Sequence, residues 1–413
     1  MAKPIRLGVF GGSRGMSFGQ NGVNLGMEVV AVCDNWEERA NNAAGAFGAT
    51  AYTDFDKFLE HDFDALILAN FFHQHAPYAI KALDAGRHVI SECIACKTLG
   101  EGVELARAVE RSGKIYFFAE NYAYFTYCQE MRRLYQAGEI GEFQYAEGEY
   151  NHPIDAHGCN QLSPGVNHWR NWIPPTYYST HAMSPLMYAT DTRPVSLNSQ
   201  SITVAEGDTR RKMTARHSDL GFCTLIRMDN GGLVRLMGLG LAGHSIWYRI
   251  HGTRGLMENL RTGDQNQLRI VHEAWDIEGD QAPERIYSPE VPVAPDLVAK
   301  AGHGGGDFFT MYYFNEAIET GQQPWMNVYR GLDMTFVGIQ AWRSCLANGA
   351  PVEVPDFSKE EVRKQYEGDN WSPMPEDAGP GQPFSSIKGK LDPTPEGLAY
   401  ARQVWDEMGY KGE

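Results

Sequence analysis

The chain has 413 residues, and 43% of them are apolar, enough to fill two cores rather than one. Asp and Glu outnumber Lys and Arg by 52 to 36, a formal charge of −16, and no long basic run breaks that balance, so nucleic acid and anionic membranes are not expected partners. Seven cysteines scattered along the chain suit a reducing compartment rather than a disulfide framework. The first strand is reached by Ile5, which leaves no room for a signal peptide, and no apolar run nears the roughly 20 residues that span a bilayer. A cytoplasmic location is expected.

The chain opens on an apolar strand, Ile5 to Phe10, which runs into the turn Gly11-Gly12-Ser13-Arg14-Gly15. A second strand, Glu28 to Cys33, ends on Asp34. This is how a dinucleotide site begins: a parallel strand, a glycine turn, a helix whose amide groups face the pyrophosphate, and a carboxylate about 20 residues on for the ribose hydroxyls. Asp34 argues for NAD over NADP, whose 2'-phosphate would meet that carboxylate unless Arg39 neutralised it. Ser13 stands where the second glycine of the fingerprint belongs, so close backbone approach must accommodate a small side chain.

Short strands at Ala65 to Ala69, His88 to Ser91 and Ile115 to Ala119 alternate with helical segments, Ala76 to Ala85 and Gly100 to Ser112, which stop at Gly86 and Gly113. The series predicts an α/β fold, with a doubly wound parallel Rossmann sheet in an NAD-binding domain over residues 1–125. A helix from Tyr127 to Ala137 then leads into strands at Phe143 to Tyr150, Ser199 to Ala205, Phe222 to Met228, Leu233 to Leu239, Ser245 to His251 and Leu268 to Val271. These predict a large, open, mostly antiparallel sheet in a substrate and oligomerisation domain over 126–357. Such a sheet, left uncovered on one face, leads us to expect a homodimer or homotetramer. Residues 358–413 form a tail in which Pro and Gly crowd Ser372 to Pro383 and a final helix lies near Thr394 to Met408; it is expected to wrap the body or a neighbouring subunit.

Ligands of an open parallel sheet bind outside the carboxyl ends of its strands. Three segments leave those ends: Asn70-Phe71-Phe72-His73-Gln74-His75-Ala76-Pro77, Ser91-Glu92-Cys93-Ile94-Ala95 and Glu120-Asn121-Tyr122. His73 and His75 are two apart with no acidic or Cys partner at metal-site spacing, and Cys93-x-x-Cys96 lacks a second pair. No metal is expected, and the thiols read as buried core groups. Twenty Tyr and nine Trp suit sugar faces as well as they suit core.

With these segments in view, the chain resembles the glucose-fructose oxidoreductase and inositol dehydrogenase (Gfo/Idh/MocA) family. The likeness runs from Ile5 to Phe357. It rests on the glycine turn, Asp34, Gln74-His75-Ala76-Pro77-Tyr78-Ala79-Ile80, Ala85-Gly86-Arg87-His88-Val89-Ile90-Ser91-Glu92 and Gly349-Ala350-Pro351-Val352-Glu353-Val354-Pro355. The resemblance implies a Rossmann domain and a second domain whose open sheet faces the nicotinamide and holds a carbohydrate. It implies NAD contacts from Gly11, Gly12, Ser13, Arg14, Gly15, Asp34, Asn70, His75, Glu92, Cys93 and Asn121. The chain also departs from the family. Its dehydrogenases usually continue Glu92 as Glu-Lys-Pro, with the lysine beside the hydroxyl that loses its proton, whereas this chain has Glu92-Cys93-Ile94.

The segment Tyr177-Tyr178-Ser179-Thr180-His181-Ala182-Met183-Ser184-Pro185 offers a substitute. It is expected to open the long helix of the second domain, with phenol and imidazole three residues apart on one side, Tyr178 to hold a substrate oxygen and His181 to exchange protons. A hydrogen-bonded histidine at a helix start is the plainer alternative. Tyr-x-Thr-His at this place is similar to a branch of the same family, the NAD-dependent α-N-acetylgalactosaminidases, as are Glu147-Gly148-Glu149-Tyr150-Asn151-His152 and Gly302-His303-Gly304-Gly305-Gly306-Asp307-Phe308. That branch implies hydrolysis by a redox route: a transient 3-keto sugar, loss of the acidified C2 proton, elimination of the anomeric group, addition of water and return of hydride. Paired carboxylates at glycosidase spacing are then not required. In this picture His181 handles hydroxyl or leaving-group protons and Tyr150 or Tyr178 is the C2 base, while Glu120, His152, Trp169, Arg170 and His303 are expected against the sugar. Trp169-Arg170-Asn171-Trp172 belongs to a stretch particular to this chain; it suits sugar stacking and surface packing equally. The first functional expectation is an NAD-dependent oxidoreductase moving hydride at a ring carbinol, C3, of a pyranoside or cyclitol. The alternatives are the redox glycoside hydrolase and a non-catalytic NAD or sugar sensor, which the missing lysine permits.

Overall fold

Six short strands, whose apolar residues are largely buried except in the edge strand β3, build a parallel sheet: β1 (Arg6–Phe10), β2 (Glu28–Cys33), β3 (Thr50–Tyr52), β4 (Ala65–Leu68), β5 (His88–Ser91) and β6 (Tyr116–Phe118). Their order, β3-β2-β1-β4-β5-β6, is the doubly wound Rossmann arrangement, whose switch point lies between β1 and β4. This computed structural model describes residues 3–277, 279, 281–410 and 412. Helices Arg14–Asn24, His75–Asp84 and Leu99–Ser112 cover the sheet, and the last is capped by Thr98, whose hydroxyl accepts from the Glu101 amide at 3.1 Å.

A nine-stranded sheet follows, in the order β14-β13-β12-β11-β7-β10-β9-β8-β15. Its strands are β7 (Phe143–Asn151), β8 (Pro194–Ile202), β9 (Gly221–Met228), β10 (Leu233–Leu239), β11 (Ser245–Gly252), β12 (Gly255–Asn259), β13 (Leu268–His272), β14 (Glu284–Tyr287) and β15 (Val352–Glu353). Only β7 and β10 pair in parallel; every other neighbour is antiparallel. One face of the sheet packs on helices Thr180–Thr190 and Val328–Leu346. Gly148 permits the first contact, since a Cβ there would stand 2.1 Å from the Ala182 carbonyl oxygen. The core is continuous from the parallel sheet through these helices into the larger sheet, so the two sheets do not fill separate cores.

The structure corrects several expectations. The strand expected at Ser199 to Ala205 is Pro194–Ile202, because β9 offers backbone partners over that whole span. The helix carrying His181 is short, 11 residues, and the long helix is Val328–Leu346. The outward face of the nine-stranded sheet is not bare: Arg235 pairs with Glu147 at 2.8 Å, Arg249 with Glu258 at 2.8 Å and Arg269 with Glu258 at 2.7 Å. Trp247 on that face is covered by Arg261, 3.7 Å above its ring. The uncovered apolar surface invoked for an oligomer is therefore largely clad by cross-strand ion pairs. The tail folds back on the body. Glu376 meets His73 at 3.0 Å, Ser386 donates to Asp219 at 2.7 Å, and Trp405 of the helix Pro395–Glu407 donates to the Asn160 carbonyl at 2.9 Å. The acidic partner of His73 is thus supplied from some 300 residues away in sequence, not at metal-site spacing. Among the described residues, no helix is long and apolar enough to cross a membrane.

Candidate active site

At the switch point, β1 runs into Gly11, whose φ of 108° favours glycine and where a Cβ would lie 2.2 Å from the Ala69 carbonyl oxygen. The turn beyond it opens on a cavity of about 300 Å³ lined by Gly11, Ser13, Arg14, Asp34, Asn70 and Trp169 among others. The residues present fit a dinucleotide. Asp34 accepts from the Gly12 amide at 2.8 Å and the Trp36 amide at 2.9 Å, two of about four carboxylate lone-pair sites, which leaves acceptors for ribose hydroxyls. Among the described residues, the side-chain nitrogen and oxygen of Asn70 are both buried without a hydrogen-bond partner, as is Nε2 of His75. Such groups cost free energy until a ligand satisfies them. Nδ1 of His75 is held by the Ile94 carbonyl at 2.9 Å. Arg39 lies over the Trp36 ring at 4.4 Å.

Arg14 and Asn121, expected on the cofactor, also join the parallel sheet to the second half of the chain, and Arg14 lines the dinucleotide cavity as well. The Arg14 guanidinium donates to Glu92 at 2.5 Å and to both oxygens of Asp307 at 2.6 and 2.7 Å. Asp307, in the first turn of the helix Gly306–Thr320, also accepts from Asn121 at 2.7 Å and Ser17 at 2.8 Å, with His303 at 3.1 Å. Burial raises both carboxyls, yet Arg14 outweighs it and holds Glu92 below, and Asp307 far below, the usual carboxylate range.

Beside this network sits His181, second residue of the helix Thr180–Thr190, whose Nδ1 faces both oxygens of Glu120 at 2.7 and 2.9 Å. Glu120 is fully buried. Expected against the sugar, it here faces the His181 ring. The backbone carbonyl of His181 accepts from the Tyr248 hydroxyl at 2.8 Å, so ring and backbone are both fixed. Three phenols enclose the imidazole: Tyr122 stacks on it with centroids 4.4 Å apart, and Tyr150 and Tyr178 meet it edge-on at 4.7 and 5.1 Å. Tyr178 closes the 3-10 turn Pro175–Tyr178 just before the helix, which is how a three-residue spacing brings both rings to one place. Burial raises both the Tyr150 and Tyr178 hydroxyls; for Tyr178 the neighbouring Arg170, 3.4 Å away, pulls the other way.

Trp169 and Arg170 belong to this site. Trp169 stacks on Phe72 at 4.5 Å, Phe72 stacks on Tyr178 at 5.7 Å, and Arg170 covers Trp169 at 4.3 Å. Trp172 does not: it stacks on His217 at 3.8 Å and donates to the Val166 carbonyl at 2.9 Å. His152 stands beside Tyr150, 6.0 Å between rings, and His303 flanks Tyr122 at 6.2 Å. Where a catalytic lysine was missing, Cys93 is buried. Its donor atom lies within 4.8 Å of those of Glu120 and His181, a cluster that no motif spacing announces. Burial and the adjacent Glu92 and Glu120 push the Cys93 thiol well up. All seven cysteines are free. Sequence alone did not point to Tyr122, Phe72, Ser17 and Tyr248 as parts of the site, nor to Asp307 as its keystone, although Tyr122, Phe72 and Asp307 lie within segments singled out above.

Comparison with known proteins agrees with this geometry. Residues 5–120 match the model of the oxidoreductase family with an NAD-binding Rossmann fold, so this sheet is an NAD-binding unit. A glycosyl hydrolase family 109 protein of Solibacter usitatus is 24% identical over 406 residues, covering 86% of this chain and 88% of its own. An alpha-N-acetylgalactosaminidase of Tannerella forsythia is 26% identical over 410 residues, 86% of each chain. Among solved structures, levoglucosan dehydrogenase in complex with NADH and levoglucosan shares the fold with a TM-score of 0.70 at 19% identity, over 86% of this chain and all of that one. An oxidoreductase domain protein from Kribbella flavida does so with a TM-score of 0.70 at 20% identity, over the same shares of the two chains. The C-terminal domain model of glycosyl hydrolase 109 takes in residues 129–364, more than half of the chain, and the chain therefore belongs to the glycosyl hydrolase 109 family.

Proposed function

We propose that this protein is an NAD-dependent glycoside hydrolase that works through transient oxidation of its sugar at C3. The observation that carries the reading is the Glu120–His181 pair enclosed by Tyr122, Tyr150 and Tyr178 at a place where the dehydrogenase lysine is replaced by a protonated, buried thiol, Cys93. The Gly11 turn, Asp34 and Asn70 would hold NAD, which would supply the hydride acceptor and later the hydride donor at that ring carbon.

The residues of this chain supply the proton chemistry. With Nδ1 donating to Glu120, Nε2 of His181 is the nitrogen left to accept a proton from the C3 hydroxyl, and the carboxylate stabilises the imidazolium that forms. A carbonyl at C3 acidifies the proton on C2. Tyr178 removes it, since Arg170 favours its phenolate. The anomeric group then leaves with the proton that His181 took from the C3 hydroxyl. Water adds across the double bond, its hydroxyl to C1 while Tyr178 gives a proton to C2, and the water's other proton, taken up by His181, goes back to the C3 oxygen as hydride returns to that carbon. The sum is glycoside plus water to free sugar and aglycone, with nothing oxidised. Phe72, Trp169 and Tyr178 present stacked rings for the sugar face.

The test is turnover of nitrophenyl glycosides by the NAD-loaded protein in deuterated water. Catalytic release of nitrophenol with deuterium at C2 and no accumulating NADH is expected. Stoichiometric NADH without cleavage would overturn the hydrolase in favour of a net dehydrogenase.

A further inference from the structure

Four arginines meet beside the proposed sugar site. Arg170, Arg210, Arg211 and Arg216 line one pocket with Tyr150, Tyr178 and His152, so its wall is continuous with the catalytic tyrosines. Arginines placed together inside a protein are normally neutralised by carboxylates, because an unpaired desolvated charge is costly. Here, among the described residues, one of the four has such a partner: Arg210 touches Asp208 at 3.3 Å. Arg211 is buried and donates only to the carbonyls of Ser218 and Asp219, at 3.0 and 3.3 Å. Arg170 reaches the Tyr178 hydroxyl. Arg216 has a buried Nε with no partner at all. The acid that lines the pocket, Asp219, is spent elsewhere: its oxygens accept from Ser386 and Ser201, both at 2.7 Å, and from the Ile387 amide at 3.1 Å. Burial, and for Arg211 the neighbouring charge of Arg216, draw Arg211 down to about 9 and Arg216 below its ordinary value, the mark of cations lacking counter-charge. The space they surround is small, about 60 Å³ against about 300 Å³ for the dinucleotide cavity. It admits one polar substituent rather than a second sugar ring.

We propose that this pocket binds an oxyanion carried by the substrate, so that the protein acts on acidic saccharides bearing a carboxylate or a sulfate ester. Guanidinium groups match such planar or tetrahedral oxygens in forked, charge-assisted hydrogen bonds. The proposal rests on the sugar site described above and adds to it a determinant of specificity: neutral sugars would leave the arginines uncompensated.

The test is calorimetric titration of the full chain loaded with NAD, using D-glucuronate, D-glucose 6-sulfate, inorganic sulfate and D-glucose. At least one acidic sugar is expected to bind about tenfold or more tightly than glucose, with inorganic sulfate competing. Arg216→Gln should abolish that preference. Arg210→Gln, whose partly exposed side chain makes misfolding a lesser concern, should reduce it and steepen no salt dependence. Preference for glucuronate alone assigns a carboxylate, and preference for the 6-sulfate alone assigns a sulfate ester. Equal affinity for glucose and the acids, a preference that survives both substitutions, or silence from every acidic probe overturns the proposal. Binding is read without turnover, so the two proposals fail separately. A protein that prefers acids but cleaves nothing keeps the pocket and loses the hydrolase, and one that cleaves neutral glycosides without preference does the reverse.

Discussion

Arg14 and Asp307 lie 293 residues apart in sequence and meet in a two-pronged ion pair, 2.6 and 2.7 Å, that ties the first helix of the NAD-binding unit to a helix of the second half of the chain. Asp307 is almost wholly buried and gathers Ser17, Asn121 and His303 as well. Asp307→Asn leaves Arg14 with Glu92 alone, and breaking a buried pair from one side costs about 3–5 kcal/mol. Denaturant unfolding should register a loss of that order. The sign with pH is set by a folded carboxyl held far below 3.8: its contribution is present above that value and is lost as pH falls below it. Wild type should therefore lose its advantage over Asp307→Asn in acid, and an advantage unchanged down to pH 2 would remove this account.

Glu120 fixes the tautomer of His181, so Glu120→Gln should leave the fold and NAD affinity near wild type while turnover drops about 10²- to 10⁴-fold. The paired measurements are kcat on a nitrophenyl glycoside and NAD titration by fluorescence. A variant that turns over normally would show that the pair is only structural.

Much of this was legible in the sequence, for physical reasons that differ by region. Strands β1, β2, β4 and β5 are buried on both faces, so they read as apolar runs with sharp ends. β12, Gly255–Asn259, escaped because Leu256, Met257 and Glu258 favour helix; pairing with β11 and β13 overrides that preference. His181, Tyr178 and Glu120 were legible as residues, but the bond between His181 and Glu120 was not, because it forms only when the two halves of the chain pack together. The arginine pocket left one unused sign. Arg210-Arg211-Lys212 with Arg216 is a dense basic patch in a chain of charge −16, and it was passed over because it is short.

Arg170 sets how readily Tyr178 ionises. Burial pushes that phenol up and Arg170 works against it, so Arg170→Gln should raise it further, and Arg170→Lys less so. A base must be ionised to act; its rate limb therefore moves to higher pH, and exchange at neutral pH slows about tenfold for each unit of displacement. The measurement is the pH profile of C2 deuterium exchange in a neutral glycoside, which does not engage the oxyanion pocket. An unmoved limb would assign the base to a group outside the reach of Arg170, which excludes Tyr150 as well as Tyr178.

Glu101, in the first turn of the helix Leu99–Ser112, is pushed up to about 7 by burial, against which the Lys97 amide at 2.9 Å gives only part of the compensation. A carboxyl whose folded value exceeds its ordinary 4.5 holds more protons in the native state than in the unfolded chain between those two values. Stability from this group is therefore greatest below about pH 4.5, falls as pH rises towards 7 and is level beyond. Glu101→Gln mimics the protonated form and should match wild type near pH 4.5 but exceed it at pH 8. Unfolding midpoints of the two proteins across that range decide the matter: parallel curves would mean that the native state carries Glu101 ionised at no cost.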